Sequence, residues 1–409
     1  MKKENGNRII SVKAREILNS RGNFTVEVEL KTNQGVFCAS VPSGASKSKY
    51  EAKEIKTPEA VKNIQEVIGP KIKGMEVIEQ KRIDDLIIEL DKTKNKSELG
   101  ANAILAVSMA VCRAGAVAAK IPLYKHIAKM VETRPSPVLP VPCFNIINGG
   151  VHAGNNLGIQ EFMIVPQEKK FSKNLKKAVE IYHNLKEILK KRFGRSAVNL
   201  GDEGGFAPPL SFTEQALDLI DRSVKKSENG KDVKIGLDCA ASEFFKNENY
   251  KLDKVVFTRE GLIKFYQNIV RKYPILFLED PFSQDDWQGW REISSKFKVQ
   301  NSKLLIIGDD LLATNPYRVK QARKKDACNG MILKINQIGT VSEAIESAKL
   351  AKSYNWKIIV SHRSGETNDD FISDLAVGIS ADFIKAGAPA RGERVAKYNR
   401  LLKIEEELR

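Results

Sequence analysis

The sequence predicts an α/β protein in two parts, an N-terminal α+β domain over residues 1–133 that caps a C-terminal β/α barrel over residues 134–409. Three patterns carry this. From Ile9 to Val41 apolar and polar residues alternate, the period of a half-buried strand. From Pro58 to about Glu132 apolar residues recur at helical spacing. From residue 230 onward short apolar runs, each ending on a charged or polar residue, alternate with longer amphipathic stretches, the rhythm of βα units. A chain of 409 residues that is 42% hydrophobic has material for two cores.

In the first part, Asn19, Gly22 and the Asn33–Gly35 segment punctuate the alternating stretch, so it reads as an antiparallel meander. Ala101 to Ala119 is rich in alanine but is broken by Asn102, Ser108 and Arg113, which describes a tightly packed core helix and not a membrane span. Four prolines in the stretch TRPSPVLPVP, Thr133 to Pro142, forbid helix and central strand there and mark the domain boundary. In the second part the runs are KIGLD, ILFLED, LLIIGDD, MILKI, KIIVSHR and DFIKAG. They lie about 25 to 40 residues apart, the length of a strand plus a crossover helix, so they are expected to run parallel and close into a barrel with further strands upstream.

The composition narrows the function. There are 67 Lys and Arg against 51 Asp and Glu, a formal charge of +16, which favours anionic partners. Charged residues are spread between apolar runs, so disorder is excluded. Five widely spaced cysteines without a C-x-x-C pair read as buried free thiols of a reducing compartment. The polar start KKENGNR lacks the apolar core of an export signal, and the expected location is the cytoplasm.

A β/α barrel gathers the C-terminal ends of its strands at one mouth. That would assemble Asp238, Glu279, Asp309, Lys334, His362 and Lys385. Three carboxylates from successive strands form an all-oxygen set suited to a hard dication such as Mg²⁺. Strand-end Asp and Glu also cap helices, but their recurrence on successive runs favours the metal. Lys334 and Lys385 stand in apolar runs, where an ammonium is costly without a partner or a task. Beside a dication and a second ammonium, the pKa of Lys334 is expected to fall toward neutrality and make it a base. His362, Arg363 and Ser364 in SHRSGE offer the donors a phosphate or carboxylate needs; a surface ion pair is the plainer reading. GGVHAG, with His152, reads as a flexible loop followed by Gln160 and Glu161. GDEGGFAP places Asp202 and Glu203 between glycines, either a plain turn or a backbone that holds a carboxylate close to a ligand.

Long words in one order, among them VPSGAS, LGANAILAVSMAV, NIINGGVHAGN, IQEFMIVP, GDEGGFAPP, LEDPFSQDDW, GDDLLATNP, LKINQIGTVSEAI, SHRSGETNDDF and ERVAKYNRLLKIEEEL, closely resemble the enolase family over nearly the whole chain. The resemblance implies an enolase-type barrel whose first units depart from simple βα order. It implies a Mg²⁺-dependent lyase of glycolysis and gluconeogenesis that interconverts 2-phosphoglycerate and phosphoenolpyruvate. Position by position it implies two Mg²⁺ per site, the conformational one on Asp238, Glu279 and Asp309 and a second, arriving with substrate, helped by Ser43 of a mobile loop. Lys334 then matches the general base, Glu203 the acid and Glu161 its supporting carboxylate. His152, Gln160, His362, Arg363, Ser364 and Lys385 match the substrate-binding positions. Family members are dimers, or octamers built on dimers, so a homo-oligomer is expected.

Departures from the family pattern are local. The loop reads SGASKSKYEA where Thr-Gly usually follows SGAS, so Lys47 and Ser48 are expected to stiffen closure and to add charge near the phosphate. The stretch after Ala52 is shorter than is common, and FIKAGAPARGE replaces the usual Thr and Ser around GAP. Two other functions compete. A binding protein that holds RNA or another polyanion would use the +16 charge, but no Arg-rich or aromatic-interleaved segment supports it. A superfamily relative acting on another carboxylate would lack a use for Arg363 with Ser364.

Overall fold

The structure is a computed structural model that describes residues 7–131, 138–228, 230–299 and 304–408. The predicted boundary between residues 133 and 134 lies outside these residues, as does most of the polar start, and the proline-rich stretch is corrected at its end, where Val141 and Pro142 open a barrel strand.

The meander forms as expected. Strands β1 (Ser11–Leu18), β2 (Phe24–Thr32) and β3 (Gly35–Ser40) pair antiparallel. Asn19 makes the first turn, because its Oδ1 accepts from the amides of Arg21 and Asn23 at 2.9 and 3.2 Å and Gly22 supplies a φ of +73°. The alternation sends Val26, Val28 and Leu30 inward, where they share one core with the helix Ala101–Ala118. That helix is long and apolar enough to cross a membrane by composition, yet Ala103 through Val107 are fully buried in the domain.

Eight strands close the barrel: β4 (Val141–Asn148), β5 (Glu161–Pro166), β6 (Val233–Asp238), β10 (Ile275–Glu279), β11 (Leu305–Gly308), β12 (Gly330–Leu333), β13 (Lys357–Ser361) and β14 (Phe383–Lys385). A small antiparallel sheet of β7 (Phe245–Lys246), β8 (Asn249–Leu252) and β9 (Val255–Phe257) intervenes in the chain. From β6 onward the barrel strands are parallel, as the βα rhythm predicts. Only β5 runs the other way, antiparallel to both β4 and β6. The spacing of apolar runs did not foresee this reversal; the family resemblance implied it.

Side chains inside the barrel follow the two-residue period of a strand. A buried apolar layer holds Cys143, Met163, Phe277, Ile307, Ile332, Ile359 and Phe383. On β6 the corresponding residue is Gly236, because the Phe277 ring fills its place: a Cβ there would lie 2.1 Å from Phe277 Cζ. Two residues nearer the mouth come Asn145, Glu161, Asp238, Glu279, Asp309, Lys334, Ser361 and Lys385. The reversal of β5 brings Glu161, its first residue, level with Asp238. Lys334 follows the last residue of β12 and thus ends the strand, where an ammonium can reach the mouth, and does not sit in its middle.

Polar contacts join the two parts. Arg113 donates to both oxygens of Asp369 at 2.7 and 2.8 Å, and Lys96 pairs with Glu343 at 2.9 Å. Cys112, Cys143, Cys239 and Cys328 are buried free thiols, but Cys38 is exposed on β3. The expectation of five buried thiols therefore holds for four, since Cys38 falls on the outward face of a half-exposed strand.

Candidate functional site

The two-residue period places a ring of charge directly above the apolar layer. Lys385 stands at its centre, with Nζ 2.7 and 2.8 Å from the oxygens of Glu279, 3.2 Å from Asp238 Oδ2 and 3.4 Å from Glu161 Oε1. Lys334 Nζ donates to Asp309 Oδ2, whose other oxygen accepts from Gln337 Nε2 at 2.9 Å. Gln160 Nε2 reaches Asp238 Oδ2 at 3.4 Å. Burial pushes the Glu279 carboxyl well above the usual range, and the neighbouring Asp238 adds to this. These carboxylates therefore call for a cation, which the lysines supply here.

Across the mouth lies a carboxyl–imidazole group. Glu203 accepts from Asn145 Nδ2 at 2.9 Å and lies 3.3 Å from His362 Nε2 and 3.5 Å from His152 Nδ1. Arg394 is fully buried and donates to His362 Nδ1 at 2.7 Å. Arginine has no acceptor, so Nδ1 must accept and the His362 proton sits on Nε2, facing Glu203. Burial holds His362 down at about 3, so the ring is neutral. Burial raises Glu161 well above the usual range, helped by the Glu203 charge. Burial also acts on Glu203, but His362, His152 and Arg394 outweigh it and hold that carboxyl low. The environment thus sets the two carboxyls apart, shifting Glu161 up and Glu203 down.

Glycines set Glu203 in place. A Cβ on Gly201 would meet His152 O at 2.6 Å, and one on Gly205 would meet Asn148 Oδ1 at 2.6 Å, so the GDEGG turn is pressed against the end of β4. The GGVHAG segment is likewise packed: a Cβ on Gly149 would lie 2.3 Å from Ile159 O. The expectation of a flexible loop is corrected for that glycine, whose role is close approach.

Arg363 and Ser364 follow β13 under a loop from the N-terminal domain. The Arg363 guanidinium is held by Glu51 at 3.0 and 3.2 Å, by Asn336 Oδ1 at 3.1 Å and by the Ser46 carbonyl at 3.0 Å. Ser364 Oγ accepts from the Ala45 amide at 2.6 Å. Between these walls lies a cavity of about 10 Å³, lined by His152, Gln160, Glu161, Glu203, Lys334, Arg363, Ser364 and Lys385 with Gly44 and Ser46 above.

Family models decide what this arrangement is. The model described as the enolase C-terminal TIM barrel domain matches residues 136–409, and that of the enolase N-terminal domain matches residues 9–127. The chain belongs to the enolase family. It is 49% identical to the protein named Enolase of Mastigamoeba balamuthi over 424 aligned positions, covering 98% of this chain and 96% of that one. It is 50% identical to Enolase B of Dictyostelium discoideum, covering 98% and 95%. As an enolase it is a lyase, a phosphopyruvate hydratase, and the family's dependence on Mg²⁺ accords with the buried acidic groups at the mouth.

The structure qualifies two expectations about the site and corrects a third. Asp238, Glu279 and Asp309 do not converge on one another alone, because Lys385 is inserted between the first two and Lys334 engages the third. Among the described residues, the acidic groups whose ligand atoms converge are His152 with Glu161 and Glu203, and Asp280 with Asp309 and Asp310. The Ser43 hydroxyl is engaged by Asn19, accepting from its Nδ2 at 2.8 Å, and the Ser43 backbone is bridged to Gly365. The pKa of Lys334 rises: burial lowers it, but the Asp309 charge more than offsets this. The expected fall assumed a dication that would already have neutralised Asp309.

Asn145, Gln337, Asn336, Glu51 and Arg394 were not singled out from the sequence. Asn145 had a findable signal, a polar residue at an inward position of an apolar strand.

Proposed function

We propose that this enolase works through Lys334 and Glu203 on opposite sides of the substrate, with the two domains meeting near residues 133 and 134. The observation that carries this reading is the cavity with the Lys334 ammonium on one wall and the Glu203–His152–His362 group on another. Asp238, Glu279 and Asp309 would hold one Mg²⁺, and their buried, cation-seeking carboxylates fit a hard dication. A second would be held with the help of Ser43 after its loop rearranges. Bound Mg²⁺ supplies positive charge that makes the C2 proton of 2-phosphoglycerate acidic and stabilises the enolate.

The rest falls to the chain. Arg363 and Ser364 hold the phosphate, and Lys385 binds the substrate carboxylate. Gln160 and His152 fix the carbon skeleton between them. Lys334, after losing its own proton to solvent, takes the proton from C2. Glu161, whose carboxyl burial shifts upward, supports Glu203, and the pair gives a proton to the departing C3 hydroxyl through Glu203. His362, fixed by Arg394 with its proton on Nε2, keeps Glu203 aimed at that hydroxyl.

The enzyme is a cytoplasmic homo-oligomer, dimer or octamer, without a membrane partner. Leu18 and Phe24, exposed and paired across the ends of β1 and β2, are apolar surface that contact between subunits would cover.

Separate base and acid roles are tested by following C2 proton exchange of 2-phosphoglycerate in D₂O by NMR. Lys334→Ala should lose both exchange and dehydration, whereas Glu203→Gln should keep exchange and lose dehydration. Loss of exchange in Glu203→Gln, with the fold intact, would overturn the division of labour.

A further inference from the structure

The roof of the site is stitched to the barrel by residues that the loop's unusual sequence supplies. Ser48 stands where the family usually has glycine and is 4% exposed. Its hydroxyl lies 2.8 Å from Gln284 Oε1 and 2.9 Å from the Asp310 carbonyl. The Lys49 amide donates to the same Gln284 oxygen at 3.2 Å. Asp285 receives the Lys49 ammonium at 2.7 Å and the Tyr50 hydroxyl at 2.5 Å. The Arg318 guanidinium lies 3.7 Å from the Tyr50 ring centre and is itself tied to the Leu311 and Gln284 carbonyls at 2.7 and 2.9 Å. These anchors of residues 48–50 sit on the segments that follow β10 and β11, so this part of the N-terminal loop is fastened across the mouth of the other domain.

This closure excludes substrate. The cavity of about 10 Å³ beneath Gly44 and Ser46 holds one water at most. The four Nη hydrogens of Arg363 are matched by four contacts, to Glu51, Asn336 and Ser46, so a phosphate gains them only as the loop gives them up. A phosphorylated three-carbon acid therefore enters, and its product leaves, only with the loop lifted.

We propose that Ser48 is a positioning residue whose hydroxyl latches this loop shut, so that loop release limits turnover. The inference rests on Arg363 and Ser364 as the phosphate site. Glycine at position 48 would keep the backbone path and lose both hydroxyl contacts.

Two readouts test it. In the substrate-free enzyme, trypsin should cut after Lys47 or Lys49 about fivefold faster in Ser48→Gly and Ser48→Ala than in the wild type, the effect of one ordinary hydrogen bond, while Ser48→Thr cuts at the wild-type rate. In turnover of 2-phosphoglycerate, kcat of the wild type should fall with added solvent viscosity. Ser48→Gly and Ser48→Ala should raise kcat and KM together by a similar factor and lose the viscosity effect, and Ser48→Thr should retain it. Equal tryptic rates in all variants would overturn the latch whether or not the enzyme turns over. A viscosity-independent wild-type kcat would overturn loop release as the limiting step. Absence of turnover in the wild type would count against the phosphate site itself.

Discussion

Lys334 shows how one residue can be legible in its role and misread in its state. Its place one residue beyond an apolar strand put it at the barrel mouth by strand period alone. Its charge depended on Asp309, which comes from the neighbouring strand and is not yet neutralised. Replacing Asp309 by Asn should therefore lower the Lys334 pKa, checked by the pH dependence of its chemical modification; an unchanged profile would contradict the account. His362 was likewise visible in SHRSGE, but its neutrality was not, since that comes first from full burial and then from Arg394 on the C-terminal helix Gly392–Glu407, where an arginine reads as surface. Here the pH dependence has a definite sign. The unfolded histidine takes up a proton near 6.5 and the folded one only near 3. Stability from this group is thus complete above about pH 6.5 and is lost as pH falls toward 3. Between pH 7.5 and 5 the loss should be about 2 kcal/mol, measured by urea unfolding, and His362→Gln should remove that part of the slope. Equal slopes in the two proteins would contradict a buried neutral ring.

The barrel strands differ in how plainly they announce themselves. The last six are apolar runs that end on charge, and the inward period then predicts which residues meet. Strands β4 and β5 lack that ending, because VPCFNIIN and EFMIVP are buried in all but the half-buried Val141, and β5 carries its carboxylate at its start. No periodicity reveals a reversed strand. The β7–β9 sheet escaped notice for another reason: its strands are only 2, 4 and 3 residues long. Packing within the apolar layer is the element-scale test. Gly236→Ala forces a methyl to 2.1 Å from Phe277 Cζ and should cost about 1–3 kcal/mol, as overpacking does. Thermal unfolding should show this loss, and Phe277→Leu in the same chain should recover part of it. Additive losses in the double variant would contradict the ring-over-glycine packing.

At the scale of the molecule, the domain order and the family were legible, but the use of the +16 charge was not. Sequence places Lys47 near the phosphate; folding turns it to Glu54 at 2.6 Å, where its charge is spent. What remains is a diffuse positive field, which should speed capture of an anionic substrate. Then kcat/KM at low ionic strength should exceed that at 0.5 M salt, where the screening length is only a few ångströms, while kcat changes little. A flat salt profile would assign the lysines to solubility alone.

The central claim is that this mouth dehydrates 2-phosphoglycerate with Lys334 as base. Its most direct test is the ultraviolet absorbance of phosphoenolpyruvate as the purified protein meets 2-phosphoglycerate with Mg²⁺, with EDTA in place of Mg²⁺, and with Lys334→Ala in Mg²⁺. The absorbance should rise only in the wild type with Mg²⁺. No rise there, or a rise that survives Lys334→Ala, would contradict the account.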